Sequence, residues 1–259
     1  MNILFIGDIV GKSGRRAVAE ALPRLLGSHK IDVIVANAEN AAGGFGLTPR
    51  IRDELMSARI DLLTSGNHIW DKKDILELLD KEDGLLRPAN YPDDVPGHGS
   101  AILHTKTGKR VGVINLSGRI FMENIDCPFQ VALREVEKIR KITPIIIVDF
   151  HAEATSEKEA LGWFLDGRVS AVFGTHTHVQ TADATILPKG TAYITDVGMS
   201  GAFDSVIGFK KEIAIERFLT QVPIKFELAK KNIHLQGAIV SIDDETGESR
   251  EIQRIDVAV

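Results

Sequence analysis

Cysteine is almost missing from this chain: Cys127 is the single one among 259 residues. No internal disulfide can form, which fits a reducing compartment. Long apolar runs are also lacking. No stretch reaches the about 18 apolar residues that a membrane span requires, so no membrane association is expected. There is no excess of positive charge either; the formal net charge is −5. That disfavours a stable nucleic-acid complex held by phosphate neutralisation, but a small nucleotide ligand stays open. No basic-then-apolar pattern precedes the first strand, so a cytoplasmic protein is expected. Repeats, low-complexity segments and long polar linkers are absent as well. The expectation is one domain over residues 1–259, with room for a homo-oligomer.

What is present is an alternation of short apolar runs and helical periodicities. Strands are expected at Ile3–Ile6, Val33–Ala36, Asp61–Thr64, Ala101–His104, Val111–Leu116, Ile145–Phe150, Ala171–Phe173, Thr185–Leu187, Ala192–Thr195 and Ala238–Ile242. Helices are expected at Ser13–Leu26, Pro49–Ala58, Lys73–Leu79, Pro128–Ile142, Glu157–Phe164 and Ile213–Thr220. Strand–helix alternation in the early half argues for parallel pairing. "DETGES" after Ile242 reads as a hairpin turn, so strands of both senses are expected. "RPANYPDDVPGHG" (Arg87–Gly99) reads as a surface excursion.

The loop "GDIVGKSG" between the first strand and first helix could cradle phosphate or hold a metal. A P-loop needs four residues between its glycine and Gly-Lys-Ser/Thr. Here only Asp8, Ile9 and Val10 separate Gly7 from Gly11-Lys12-Ser13, and Asp8 would repel a phosphate. The metal reading needs partners, and four other strand ends supply them. Glu39 and Asn40 follow Val33–Ala36, Asn67 and His68 follow Asp61–Thr64, His151 follows Ile145–Phe150, and His176 and His178 follow Ala171–Phe173. The carboxyl ends of parallel strands share one edge, where ligands bind. Singly, each residue has a bland reading: Asp8 as a helix cap, a lone histidine as a satisfied interior group, "GNH" as a turn. His176-Thr177-His178 is more pointed, since residues two apart on an extended segment face the same way. Together they form a mixed imidazole, carboxylate and amide set suited to iron, manganese or zinc rather than a thiolate site. Asp8, Glu39, Asn40, Asn67, His151, His176 and His178 exceed what one tetrahedral ion needs, so two ions sharing a carboxylate are expected.

In order, Gly66-Asn67-His68, His151 and Gly174-Thr175-His176-Thr177-His178 resemble the motifs of calcineurin-like metallophosphoesterases. The chain departs from that pattern where Val10 stands in place of a histidine after Asp8, and where Glu39, with Asn40 beside it, replaces the bridging aspartate. With "FIGDIVGKSGR", "NAENAAGGFGLT" and "FGTHTHVQTAD", those departures resemble the YmdB-like branch of bacterial cyclic-nucleotide phosphodiesterases. The resemblance implies an α/β fold, a four-layer α/β/β/α sandwich of two facing mixed sheets. It implies one ion on Asp8, Glu39, Asn40 and His178, and another on Glu39, Asn67, His151 and His176, with iron or manganese preferred. It also implies hydrolysis of small phosphodiesters, notably 2′,3′-cyclic nucleotides, by in-line attack of a bridging hydroxide with His68 as general acid. Two readings compete: a metal-dependent amidohydrolase-type enzyme, and a non-catalytic metal-bound regulator. Arg119 in "NLSGRIFM" could reach a phosphate or pair with a structural carboxylate.

Overall fold

The computed structural model describes residues 1–81 and 84–259. The chain runs β1 (Asn2–Ile6), β2 (Asp8–Ile9), α1 (Gly11–Ser28), β3 (Val33–Asn37), α2 (Pro49–Ser57) and β4 (Leu62–Thr64). Two 3-10 turns, Asn67–Asp71 and Lys73–Ile75, lead into α3 (Leu76–Leu79). Then come β5 (Ser100–His104), β6 (Arg110–Ser117), α4 (Pro128–Ile139), β7 (Ile146–His151), α5 (Thr155–Leu165) and β8 (Ala171–Thr175). The last part comprises β9 (Thr185–Ile186), β10 (Ala192–Ile194), β11 (Met199–Ala202), α6 (Lys211–Thr220), β12 (Ile233–Ile242) and β13 (Ser249–Ala258).

These strands make two mixed sheets. The seven-stranded sheet has the order β2-β11-β12-β1-β3-β4, with β13 also paired to β12. The six-stranded sheet has the order β5-β6-β7-β8-β10-β9. β1, β3 and β4 run parallel, as do β6, β7 and β8. Side-chain alternation on β1 explains the layering. Ile3 and Phe5 enter the core between the sheets, with Val113, Ile147 and Phe173 from the facing sheet. Leu4 and Ile6 point the other way, onto Ala17, Val18, Ala21 and Leu22 of α1. On the far side, Ile146, Val148 and Phe150 of β7 meet Val131, Val136 and Leu161 of α4 and α5. Burial on both faces is why the central strands read as unbroken apolar runs. Phe5 and Phe173 stack across the sandwich with ring centroids 4.7 Å apart; burying each ring stabilises by roughly 1.5–3 kcal/mol. The architecture is the expected four-layer α/β/β/α sandwich. The described residues form no closed barrel of the kind the amidohydrolase alternative requires.

Several local expectations are corrected. β2 is too short to carry a period, β11 ("MSGA") lacks apolar alternation, and β13 ("SREIQRIDVA") shows mostly polar residues to solvent. All three escaped the periodicity reading. β12 begins at Ile233 rather than Ala238, and α4 ends at Ile139 rather than Ile142. Only the end of Lys73–Leu79 is α-helical. The Arg87–Gly99 stretch is exposed at its tip, Pro92–Asp94, and again at His98. Its foot is interior: Asn90 is buried and donates to the carbonyls of Ser117 and Asp126 at 2.8 and 3.0 Å. The expected hairpin turn is present, with the Asp243 carboxylate accepting from the Glu245 and Thr246 nitrogens.

Candidate metal centre

The strand ends converge at one edge of the sandwich. Asp8 opens β2 and pairs in register with Met199 of β11, which pins its backbone. Glu39 and Asn40 leave β3, and the Asn37 side-chain oxygen accepts from the Glu39 nitrogen at 3.1 Å. Asn67 and His68 occupy the 3-10 turn after β4. His151 is the last residue of β7, and His176 immediately follows β8.

One cluster is formed by Glu39, His151 and His176, whose ligand atoms all lie within 4.8 Å of one another. His151 Nε2 is 2.9 Å from Glu39 Oε1 and 2.9 Å from His176 Nδ1. A second grouping lies alongside. His178 Nε2 is 3.3 Å from Asn40 Oδ1 and 4.0 Å from Asp8 Oδ1. Asp8 reaches both groups, since Oδ1 is 3.8 Å from His151 Nδ1 and Oδ2 accepts from the His176 backbone nitrogen at 3.1 Å. Asn67 is brought to the edge beside His68, whose backbone nitrogen donates to Glu39 Oε2 at 3.1 Å.

Asp8 Oδ1 and Asn67 Oδ1 are buried and have no hydrogen-bond partner. Such orphaned buried oxygens are costly unless a cation or proton donor satisfies them. His178 Nδ1 donates to the Ile207 carbonyl at 3.0 Å, which frees Nε2. Asn40 Nδ2 donates to the Gly44 carbonyl at 3.0 Å, which frees Oδ1. The Thr175 hydroxyl donates to Asp149 Oδ1 at 2.8 Å, so it can accept from His151 Nδ1 at 2.9 Å. Outer hydrogen bonds that fix tautomer and orientation in this way are characteristic of metal-ligating side chains. The donor set therefore fits bound cations.

Electrostatics agree. Burial opposes a charge on His151, but Glu39 and then Asp8 override it and raise His151 to about 9. Burial likewise disfavours the Glu39 carboxylate, yet His151 holds it at about 2. Burial, followed by repulsion from His151, pushes His176 down to about 3. Burial raises Asp8 above its ordinary value and takes Asp149 up to about 7. A protonated His151 beside ionised Glu39 is the charge balance this edge adopts when protons alone compensate it.

The structure departs from the extended segment expected at His176-Thr177-His178. His176 and His178 do not share an extended segment: their φ values are +93° and +63°. The backbone is in a region that non-glycine residues rarely occupy, and the two rings serve different groupings. A buried ion pair holds this turn. Lys158 Nζ is 2.8 Å from Asp196 Oδ2, and the same carboxylate oxygen accepts from the Thr177 nitrogen at 3.1 Å and hydroxyl at 2.6 Å. Neither this support nor the Asp149 carboxylate, which accepts from Asn37 Nδ2 at 3.0 Å and from the Thr175 hydroxyl at 2.8 Å, was anticipated from the sequence. Two signals were available: Asp149 interrupts an apolar strand two residues before His151, and Asp196 follows a strand as Asp8 does. Gly66, part of the Gly66-Asn67-His68 motif, has a packing role that the sequence alone does not reveal. A Cβ there would lie 2.1 Å from His151 Cδ2 and 2.4 Å from Glu39 Oε2, so the glycine is what admits both side chains. Glu157 accepts from the Arg119 backbone nitrogen rather than its guanidinium, and the Arg119 side chain is exposed.

An α/β sandwich with imidazoles, carboxylates and amide oxygens gathered at the strand ends defines a metallohydrolase-type site. A sequence profile of YmdB-like proteins matches residues 4–255. The 2′,3′-cyclic-nucleotide 2′-phosphodiesterase of Bacillus subtilis (strain 168) is 50% identical over 255 residues, covering 98% of this chain and 96% of that protein. A solved structure of a hypothetical protein from Thermus thermophilus is 42% identical, with a TM-score of 0.93, and covers 100% of this chain and 99% of that one. The structure of a novel phosphatase from Mycoplasma pneumoniae is 35% identical, again with a TM-score of 0.93, covering 100% and 93%. The chain belongs to the YmdB-like protein family.

Proposed function

We propose that the protein is a metal-dependent phosphodiesterase that hydrolyses small phosphodiesters, with 2′,3′-cyclic nucleotides as the substrate class. The observation that carries this reading is the pair of orphaned buried oxygens, Asp8 Oδ1 and Asn67 Oδ1, at the same edge as the Glu39–His151–His176 cluster. The name of the Bacillus subtilis relative supports the substrate class.

Asp8, Glu39, Asn40 and His178 would hold one divalent ion; Glu39, Asn67, His151 and His176 would hold the other. A set of three imidazoles, two carboxylates and two amide oxygens, with Cys127 outside it, favours iron(II) or manganese over soft-ligand metals. When bound, the ions supply a nucleophilic water at neutral pH and offset the charge of the phosphoryl group.

The chain's own residues do the rest. Glu39 would serve both ions; its backbone nitrogen donates to Asn37 Oδ1 and its Oε2 accepts from the His68 nitrogen, which orients the carboxylate. His68 is the general acid. Its Nδ1 lies 2.9 Å from Asp71 Oδ2, which orients the ring and leaves Nε2 as the nitrogen free to hand over a proton. Its side chain is 28% exposed, so it can meet substrate without belonging to the buried cluster. Opening a 2′,3′-cyclic phosphate at the 2′ position expels an alkoxide, and a poor leaving group of that kind needs the proton.

The reading is tested with anaerobically purified, manganese- or iron-reconstituted protein. It should hydrolyse 2′,3′-cyclic AMP and bis(p-nitrophenyl) phosphate and ignore p-nitroanilide amides. Amide hydrolysis without phosphodiester hydrolysis would overturn it.

A further inference from the structure

Phe121 is the most exposed large hydrophobic side chain among the described residues, at 90%. A ring so placed gains nothing from the core, and its backbone is in the left-handed region at φ +62°, which a bulky residue avoids. The turn that holds it is nonetheless braced. The Glu157 carboxylate, itself mostly buried, accepts from the Arg119 nitrogen at 3.1 Å and from the Ile120 nitrogen at 3.2 Å. The Met122 nitrogen donates to the Arg119 carbonyl at 3.3 Å. The foot of the turn is fixed against the metal edge. Ser117 is the register partner of His151, and the Gly118 nitrogen donates to the His151 carbonyl at 2.9 Å. A Cβ on Gly118 would lie 2.6 Å from Ala152 Cβ, so the turn packs directly on the residue after His151. Asn115, two residues before Ser117, exchanges both amide hydrogen bonds with the Ser65 backbone at 2.9 Å, two residues before Asn67. The turn thus rises beside two of the segments that carry candidate ligands, and it presents an aromatic ring to solvent.

We propose that Phe121 is the nucleobase platform of the site: its ring stacks on the base of a 2′,3′-cyclic nucleotide whose phosphate lies at the metal edge. This rests on the phosphodiesterase reading above and names the residue that makes the enzyme prefer nucleotides to other small diesters. A base offers a flat π-face at a short, fixed distance from its cyclic phosphate. An exposed phenyl ring on a backbone-braced turn matches that, with stacking that tolerates any base and is strongest for purines.

The test compares wild type, Phe121→Ala and Phe121→Trp, all metal-reconstituted, on 2′,3′-cyclic AMP and on the base-free methyl riboside 2′,3′-cyclic phosphate. Phe121→Ala should raise KM for 2′,3′-cyclic AMP about tenfold with kcat nearly unchanged, the signature of lost uniform binding. The base-free diester should be hydrolysed equally by all three proteins, and Phe121→Trp should restore the wild-type KM. Unchanged KM for 2′,3′-cyclic AMP in Phe121→Ala would overturn the platform while leaving the phosphodiesterase reading intact. Equal losses on both substrates, with or without a change in elution volume, would mark Phe121 as a structural or subunit contact and also overturn it. Wild-type protein inert to both diesters would remove the phosphodiesterase reading and the platform together.

Discussion

Substituting Gly66 by alanine should dismantle the metal edge without touching a ligand. Its φ of −143° lies outside the left-handed region, and the substitution acts through the contacts of the added Cβ. The added Cβ would stand 2.1 Å from His151 Cδ2, 2.3 Å from His151 Nε2 and 2.4 Å from Glu39 Oε2, whereas ordinary contact begins near 3.4 Å. Either the His151 ring and the Glu39 carboxylate retreat by more than an ångström, or the turn bearing Asn67 and His68 is pushed outward. Overpacking of this kind costs about 1–3 kcal/mol of stability, and misplacing reacting groups by about 1 Å costs on the order of a hundredfold in rate. The expected result is a folded protein with at least one ion lost per chain and turnover on 2′,3′-cyclic AMP down about a hundredfold or more. Gly43→Ala is the matched control: nothing lies within 4 Å of its Cβ, and only its φ of +74° is unfavourable. It should cost about 1–2 kcal/mol in thermal stability and keep its metal. Elemental analysis, a thermal melt and turnover on both variants decide the matter. A Gly66→Ala protein with full metal content and near wild-type turnover would refute the packing argument.

Glu39→Ala should abolish activity and metal retention more completely than Asn40→Ala, because a bridging carboxylate serves both ions and an amide oxygen one; equal, substantial activity in both, with full metal, would remove Glu39 from the bridge. His68→Ala should keep its metal yet lose about a hundredfold to ten-thousandfold on 2′,3′-cyclic AMP. Its loss on bis(p-nitrophenyl) phosphate, whose leaving group departs unaided, should be small; comparable losses would assign His68 to phosphate orientation. Metal uptake by stripped protein should release a proton. Glu39 raises His151 above its unfolded value to about 9, so below that pH the ring is protonated and an incoming ion must displace the proton. His176, lowered to about 3, brings none at neutral pH. Apparent manganese affinity should therefore climb as pH rises towards about 9 and flatten above it, and a titration curve flat between pH 6 and 9 would contradict this.

The layers of the fold were legible because β1, β3, β7 and β8 are buried on both faces and α1 shows one apolar stripe. β13 was not, because much of it faces solvent and its partner β12 lies across a turn. The convergence of Asp8, Glu39, Asn40, Asn67, His151, His176 and His178 followed from one rule, that polar residues at the ends of parallel strands share an edge. Its finer geometry did not. The left-handed turns at His176 and His178 depend on the Lys158–Asp196 pair, which joins residues from α5 and from the segment after β10. Contacts of that kind leave no local period in the sequence. Gly66 was visible as a glycine, but the side chains it must clear come from β7 and the segment after β3, which only the folded chain brings together.

A two-ion phosphodiesterase centre at this edge makes turnover depend on metal. Its most direct test is the hydrolysis of 2′,3′-cyclic AMP by chelator-stripped protein titrated with manganese under anaerobic conditions. No turnover is expected without metal, followed by a rise that saturates at two ions per chain. Turnover independent of metal, or saturation at one ion, would contradict it.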